Sequence, residues 1–176
     1  MIWRFVRALL FRLDAERAHH VAMRAFAALM AITPIAALCR AIFGARDPRL
    51  RCRVAGLELP GPVGLGAGFD KEARWFNALD ALGFGFVEVG TLTAHGQDGN
   101  PKPRVFRLPP DRALINRMGF NNGGSAEAAA RLAGARIRPV LGVNIGKSKV
   151  TPNEDALGDY AASLDRLYPF AAYVTV

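Results

Sequence analysis

Four short apolar runs separated by longer polar or amphipathic stretches constrain the fold of this 176-residue chain more than any other feature. They are Val63-Gly64-Leu65-Gly66-Ala67, Phe86-Val87-Glu88-Val89-Gly90-Thr91, Val140-Leu141-Gly142-Val143-Asn144-Ile145-Gly146 and Ala171-Ala172-Tyr173-Val174-Thr175-Val176. A helix is expected over 72–82 between the first two, with Ala73, Phe76, Leu79 and Leu82 on one face, and an alanine-rich helix over 126–135 precedes the third. Apolar strands alternating with helices are the pattern of a parallel sheet covered by helices. The first three strands end in Ala67, Thr91 and Asn144. Small or polar groups at strand C-terminal ends are where a TIM-type barrel builds its site. A doubly wound sheet is the rival, but no glycine-rich dinucleotide fingerprint follows the first strand. Four strands are half of eight, so the expected class is α/β, a (β/α)8 barrel truncated to roughly its first half.

The run at 63–71 passes through Gly66, Ala67 and Gly68 and ends on Lys71. Residues without bulky side chains let the backbone approach a flat ligand, over which a lysine would sit. An ordinary strand-to-helix turn with an exposed lysine reads from the same residues. Residues 51–59 predict a hairpin turning at Ala55-Gly56. The insertion at 95–123 holds two apolar runs around Pro109-Pro110-Asp111, a second antiparallel hairpin, with Asn116, Asn121 and Asn122 beyond it. An asparagine amide matches the amide edge of a pyrimidine ring, and a site built on it rejects analogues lacking that edge. Asn-Asn-Gly-Gly is equally a turn signal.

The net charge of +8 raises nucleic acid or an anionic membrane as a partner. Residues 1–46 hold seven arginines against Asp14 and Glu16, a local excess of five positive charges in the most apolar third of the chain. Basic and apolar together favour a membrane surface, and no aromatic-interleaved basic strand supports nucleic-acid binding. Helices are expected over 2–11, from Ala15 to about Ile32 with Asp14 as cap, and from Thr33-Pro34 to about Phe43. The longest uncharged run, 25–39, is 15 residues and contains Pro34. A spanning helix needs about 20, so the segment is expected to lie in the interface, or else to pack on its own domain. His19 and His20 fall within these helices. Two domains follow: a helical membrane-docking segment, 1–46, and the barrel portion, 47–176. Cys39 and Cys52 are too few for a disulfide framework or metal site and are expected as free thiols in a reducing compartment. No signal-peptide cleavage pattern is evident.

Taken together, the stretches at 13–19, 65–71, 83–93, 99–108, 114–122 and 141–149 resemble dihydroorotate dehydrogenase, specifically its membrane-associated, quinone-reducing class 2. The resemblance covers essentially the whole chain. It implies an FMN-holding barrel that oxidises (S)-dihydroorotate to orotate in pyrimidine synthesis and passes the electrons to ubiquinone or menaquinone. It implies flavin contacts at Ala67, Gly68, Phe69, Asp70, Lys71, Thr91 and Asn144. Orotate-binding positions would be Lys71, Asn116, Arg117, Met118, Gly119 and Phe120, with His19 and Arg107 lining a quinone tunnel. It further implies a monomer at the cytoplasmic face of a bacterial inner membrane. Gly66, Ser148 and Val150 depart from the family's usual alanine, asparagine and aspartate. The family's catalytic serine follows the fourth strand, beyond Val176, so no catalytic base is expected within the chain and the 176 residues alone are expected to be inactive. Soluble class 1 relatives lack the basic N-terminal helices. A non-catalytic membrane-binding fragment is the alternative from another functional class.

Overall fold

The computed structural model describes residues 2–44 and 47–176. The expected boundary between the two domains, after Arg46, lies outside the described residues.

Three helices open the chain: α1 (Ile2–Leu10), α2 (Ala15–Met30) and α3 (Thr33–Phe43). Asp14 caps α2 by accepting the Arg17 N–H at 2.8 Å, and Pro34 occupies the first turn of α3, where a missing N–H costs nothing. The first hairpin pairs β1 (Cys52–Val54) with β2 (Leu57–Leu59). Its turn residues Ala55 and Gly56 both have positive φ (49° and 85°), the conformation that matches the twist of a two-residue hairpin.

Where a helix was expected over 72–82, only α4 (Phe76–Leu79) and a 3-10 turn (Asp80–Leu82) form. The carboxylate of Asp70 accepts the N–H groups of Arg74 and Trp75, and Ala73 has a φ of 52°, so the first turn is replaced by a side-chain-capped loop. Ala73, Phe76 and Leu79 are buried as the periodicity requires, whereas Leu82 is exposed.

The central sheet consists of β3 (Val87–Leu92), then, beyond the insertion and α5 (Ser125–Ala133), β6 (Leu141–Ile145), and, after α6 (Ala156–Leu167), β7 (Tyr173–Thr175). Its order is β3-β6-β7, all parallel. The first apolar run joins β3 by a single parallel bridge, Leu65 to Val87, rather than as a regular strand. Strand order therefore follows chain order without reversal, which is barrel-wall construction and not a doubly wound sheet. The insertion carries the expected second hairpin, β4 (Val105–Leu108) with β5 (Ala113–Asn116).

The two faces of the sheet differ. Val87, Val89, Leu141, Val143, Ile145 and Val174 pack with Phe76, Leu79, Ala128, Leu132 and Leu167 in one apolar core, to which α2 adds Met23. On the other face Glu88, Gly142 and Tyr173 lie in one row. A Cβ on Gly142 would lie 2.1 Å from the Tyr173 ring, so the ring crosses the space a side chain would take and donates its hydroxyl to Glu88 at 3.1 Å. Thr175 donates to the same carboxylate at 3.2 Å. Burial first, and then the charge of Glu88, push the Tyr173 hydroxyl well above its ordinary pKa.

Candidate active site

The strand-end loop at 66–71 is held against β3 by its main chain. Gly68 N–H donates to Gly90 O at 2.8 Å, and Gly90 N–H donates to Asp70 O at 3.0 Å. Gly68 has a φ of 100°, which favours glycine, and a Cβ at Gly66 or Gly68 would meet nothing within 4 Å. Glycines elsewhere in the sheet are required by close packing, but these two border open space. A bare backbone facing open space suits a flat ring. Ala67 and Lys71 are half-buried beside it, and Phe69 is exposed.

Asp70 is fully buried, and burial raises its pKa against the opposing pull of the N–H groups of Arg74 and Trp75. Its carboxylate is thus committed to the loop, and the position offers a ligand its main chain. Burial lowers the pKa of Lys71, and the nearby charge of Arg104 lowers it further, with Glu16 opposing.

Thr91 and Asn144 reach the same rim. The β3–β6 register shifts between Val89 and Leu92, and this irregularity brings Gly90 against β6. A Cβ on Gly90 would stand 2.4 Å from Asn144 O, and one on Gly146 would stand 2.7 Å from the Thr91 methyl. The loop after β6 is anchored through Ser148: its Oγ accepts the His95 N–H at 3.1 Å, and its N–H donates to Asp159 at 3.0 Å.

The loop Asn116–Phe120 is fixed mainly through its carbonyls. Asn100 donates to Arg117 O at 2.7 Å, and its N–H donates to Met118 O at 3.0 Å. Gln97 donates to both Gly119 O and Phe120 O. The Asn116 side chain is exposed. Asn122 is spent internally: its amide group donates to Thr93 Oγ1 and Phe120 O, and its oxygen accepts the N–H groups of Thr93 and Gly124. The turn reading of Asn-Asn-Gly-Gly therefore holds for Asn122. Asn121 Oδ1 is buried without a partner. No hydrogen bond joins this loop to Lys71 among the described residues. The connection runs through Arg104, whose carbonyl accepts the Arg117 N–H at 2.9 Å and whose charge acts on Lys71.

Arg104 is also the anchor of α2. It makes a two-point contact with Glu16, at 3.0 and 2.6 Å, with both side chains less than a tenth exposed. The pairing holds the Glu16 pKa below its ordinary value. Nothing in the sequence marked this pair, because its partners are 88 residues apart.

His19 and Arg107 occupy different places. His19 Nε2 lies 3.1 Å from Phe69 O, which can only accept, so Nε2 carries the proton and Nδ1 is left as an acceptor. Its ring packs edge-on against Phe69 and Trp75. Burial, reinforced by neighbouring His20, lowers its pKa and keeps it neutral. Arg107 instead donates to Leu13 O and Leu10 O at the end of α1 and covers the Phe11 ring at 4.6 Å from its centre. A cation at a helix C-terminus complements the carbonyl ends.

The family model described as dihydroorotate dehydrogenase matches residues 49–176. A dihydroorotate dehydrogenase (quinone) of Thermobifida fusca is 51% identical, with 100% of this chain and 48% of the relative covered. That of Chloroflexus aurantiacus is 52% identical over 97% of this chain and 48% of the relative. Among solved structures, the Eimeria tenella enzyme in complex with ferulenol is 40% identical with a TM-score of 0.72, over 90% of this chain and 42% of that one. The ligand-free form from the same organism gives 46% identity and a TM-score of 0.67, over 74% of this chain and 38% of that one. The chain thus spans about half the length of the curated relatives it matches. With residues 49–176, most of its length, inside one family model, the chain belongs to the dihydroorotate dehydrogenase family.

Proposed function

We propose that this chain contributes the first half of a (β/α)8 barrel that oxidises (S)-dihydroorotate to orotate with FMN and hands the electrons to a quinone. The observation that carries the reading is the open backbone at Gly66 and Gly68, with half-buried Lys71 beside it and Thr91 and Asn144 on the same rim. When bound, FMN supplies a two-electron acceptor for the substrate hydride. The residues named would hold its ring against main chain, which a Cβ at position 68 would obstruct. Lys71, half-buried beside the loop, would offer its ammonium group to the substrate carboxylate. Asn116, at the end of β5, presents an amide to the substrate's amide edge, and the carbonyl-tethered loop behind it fixes its direction.

His19, on α2, closes one side of the loop at Phe69 and is proposed, with Arg107, to border the quinone route. The relatives are named as dihydroorotate dehydrogenase (quinone). Trp3, Phe5, Val6, Leu9 and Phe11 on the α1 segment are exposed, as are Leu38, Ile42 and Phe43 on α3. Among the described residues no single helix is long and apolar enough to cross a membrane. We therefore read α1 and α3 as docking helices at the cytoplasmic face of a bacterial inner membrane. This apolar surface favours the quinone-reducing class over soluble class 1 relatives.

The test is anaerobic addition of dihydroorotate to the purified full-length flavoprotein that contains this chain. The flavin absorbance is expected to bleach and to recover on adding a short-chain quinone. A flavin that dihydroorotate leaves oxidised would remove the substrate assignment, and one that bleaches but is not reoxidised by quinone would remove the acceptor.

A further inference from the structure

Gln97 lies between the Asn116–Phe120 loop and the loop that follows β6, and it is bonded to both. Its main chain pairs with Asn122 in both directions, at 2.9 and 3.0 Å. Its side-chain nitrogen donates to Gly119 O and Phe120 O, each at 3.2 Å, and its Oε1 accepts the Lys149 N–H at 2.9 Å. Those contacts need two donors on one side-chain atom and an acceptor on its neighbour. A carboxylate lacks the donors and a lysine lacks the acceptor. The two carbonyls it holds belong to residues with positive φ, 74° at Gly119 and 51° at Phe120. A phenylalanine in that region is strained and persists only where its surroundings over-determine it. On the far side, Lys149 follows Ser148, which is pinned to His95 and Asp159. Gln97 therefore transfers the fixed position of the β6 loop to a segment that would otherwise relax.

We infer that Gln97 is a positioning residue for the Asn116–Phe120 loop, and that it sets affinity for the pyrimidine substrate without touching the quinone side. The inference rests on the reading that this loop receives the substrate. Among the described residues none of Gln97's own hydrogen bonds reaches α1, α2 or Arg107, so its replacement is expected to spare the electron-acceptor half of the reaction.

The test compares wild-type holoenzyme with Gln97→Ala and Gln97→Glu. Loss of two neutral hydrogen bonds corresponds to about a tenfold effect. KM for dihydroorotate and Kd for orotate are expected to rise about tenfold in both variants, with the rate of flavin reoxidation by quinone unchanged. Gln97→Glu keeps an acceptor for Lys149 but turns a carboxylate toward two carbonyls, so it fails with Gln97→Ala. Hydrogen–deuterium exchange at 118–121 is expected to accelerate in both variants while β3 and β6 keep their protection. Unchanged substrate affinity, or unchanged exchange at 118–121, would overturn the inference. So would a parallel loss of quinone reoxidation and flavin content, which would mark Gln97 as generally structural. A wild-type enzyme that dihydroorotate does not bleach would remove the functional reading instead, and the exchange measurement would still decide whether Gln97 positions the loop.

Discussion

His19 joins a helix to the floor of the site through one hydrogen bond, and its protonation is linked to folding. Burial and His20 depress its pKa in the folded state below the ordinary 6.5, with Lys71 adding to the effect and Phe69 O and Glu16 opposing it. The unfolded chain therefore binds the proton first as pH falls below 6.5. The stability associated with neutral His19 is fully present above that value and declines with falling pH, levelling off once the folded form also protonates. In urea titrations between pH 7 and 5, wild type is expected to lose stability more steeply than His19→Gln, which keeps a donor for Phe69 O but does not titrate. Equal slopes would show that the ring is free to protonate in place. At this scale the sequence was legible at Gly66, Gly68 and Lys71, where the structure has the open backbone and half-buried lysine expected of this strand end. It was illegible for Gln97, whose side-chain bonds depend on how two loops meet. Asp70 was legible as a motif member but not in its action, which is to replace the first turn of a helix.

Helix α2 is fastened to the insertion by Glu16 and Arg104, both nearly inaccessible to solvent. Removing the cation leaves, among the described residues, a desolvated carboxylate with Lys102, 3.5 Å away and itself exposed, as its remaining ion-pair partner. Arg104→Met is expected to cost about 3 kcal/mol, since breaking a buried pair is far more costly than losing a surface one. The reference is Glu16→Gln combined with Arg104→Met, which should recover part of the loss. Denaturant midpoints of wild type, both single variants and the pair measure the coupling directly. Both hairpins were legible, because Ala55-Gly56 and Pro109-Pro110-Asp111 carry local turn chemistry. The helix α6 was not assigned from the sequence: Gly158 interrupts it and Leu157, at 84% exposure, breaks the apolar stripe. Tertiary packing through Ser163 and Leu167 decides it.

For the molecule as a whole, the chain leaves one face of its N-terminal helices apolar and rimmed by exposed Arg4, Arg7 and Arg12. On the docking proposal, co-sedimentation with phosphatidylglycerol-containing vesicles is expected to weaken at high salt. It should also fall tenfold or more in the double variant Trp3→Ser, Phe5→Ser, which removes two large apolar groups from the contact. Binding that survives both changes would place the lipid contact elsewhere. Helix placement was legible here from period and caps, whereas the division of labour was not: α2 turns inward and α1 stays outside.

The pairing of Gly142 with Tyr173 has a consequence for how the sheet is assembled. Strand β7 is three residues long and adds to the ladder last in chain order, so few backbone bonds specify its alignment. A slip of one residue would turn the Tyr173 ring toward the helix-packed face and bring Val174 over the glycine, leaving Glu88 without its phenolic donor. A missing side chain in one strand and an oversized one in the next thus work as a lock and its key, admitting the incoming strand in one alignment and penalising its neighbours.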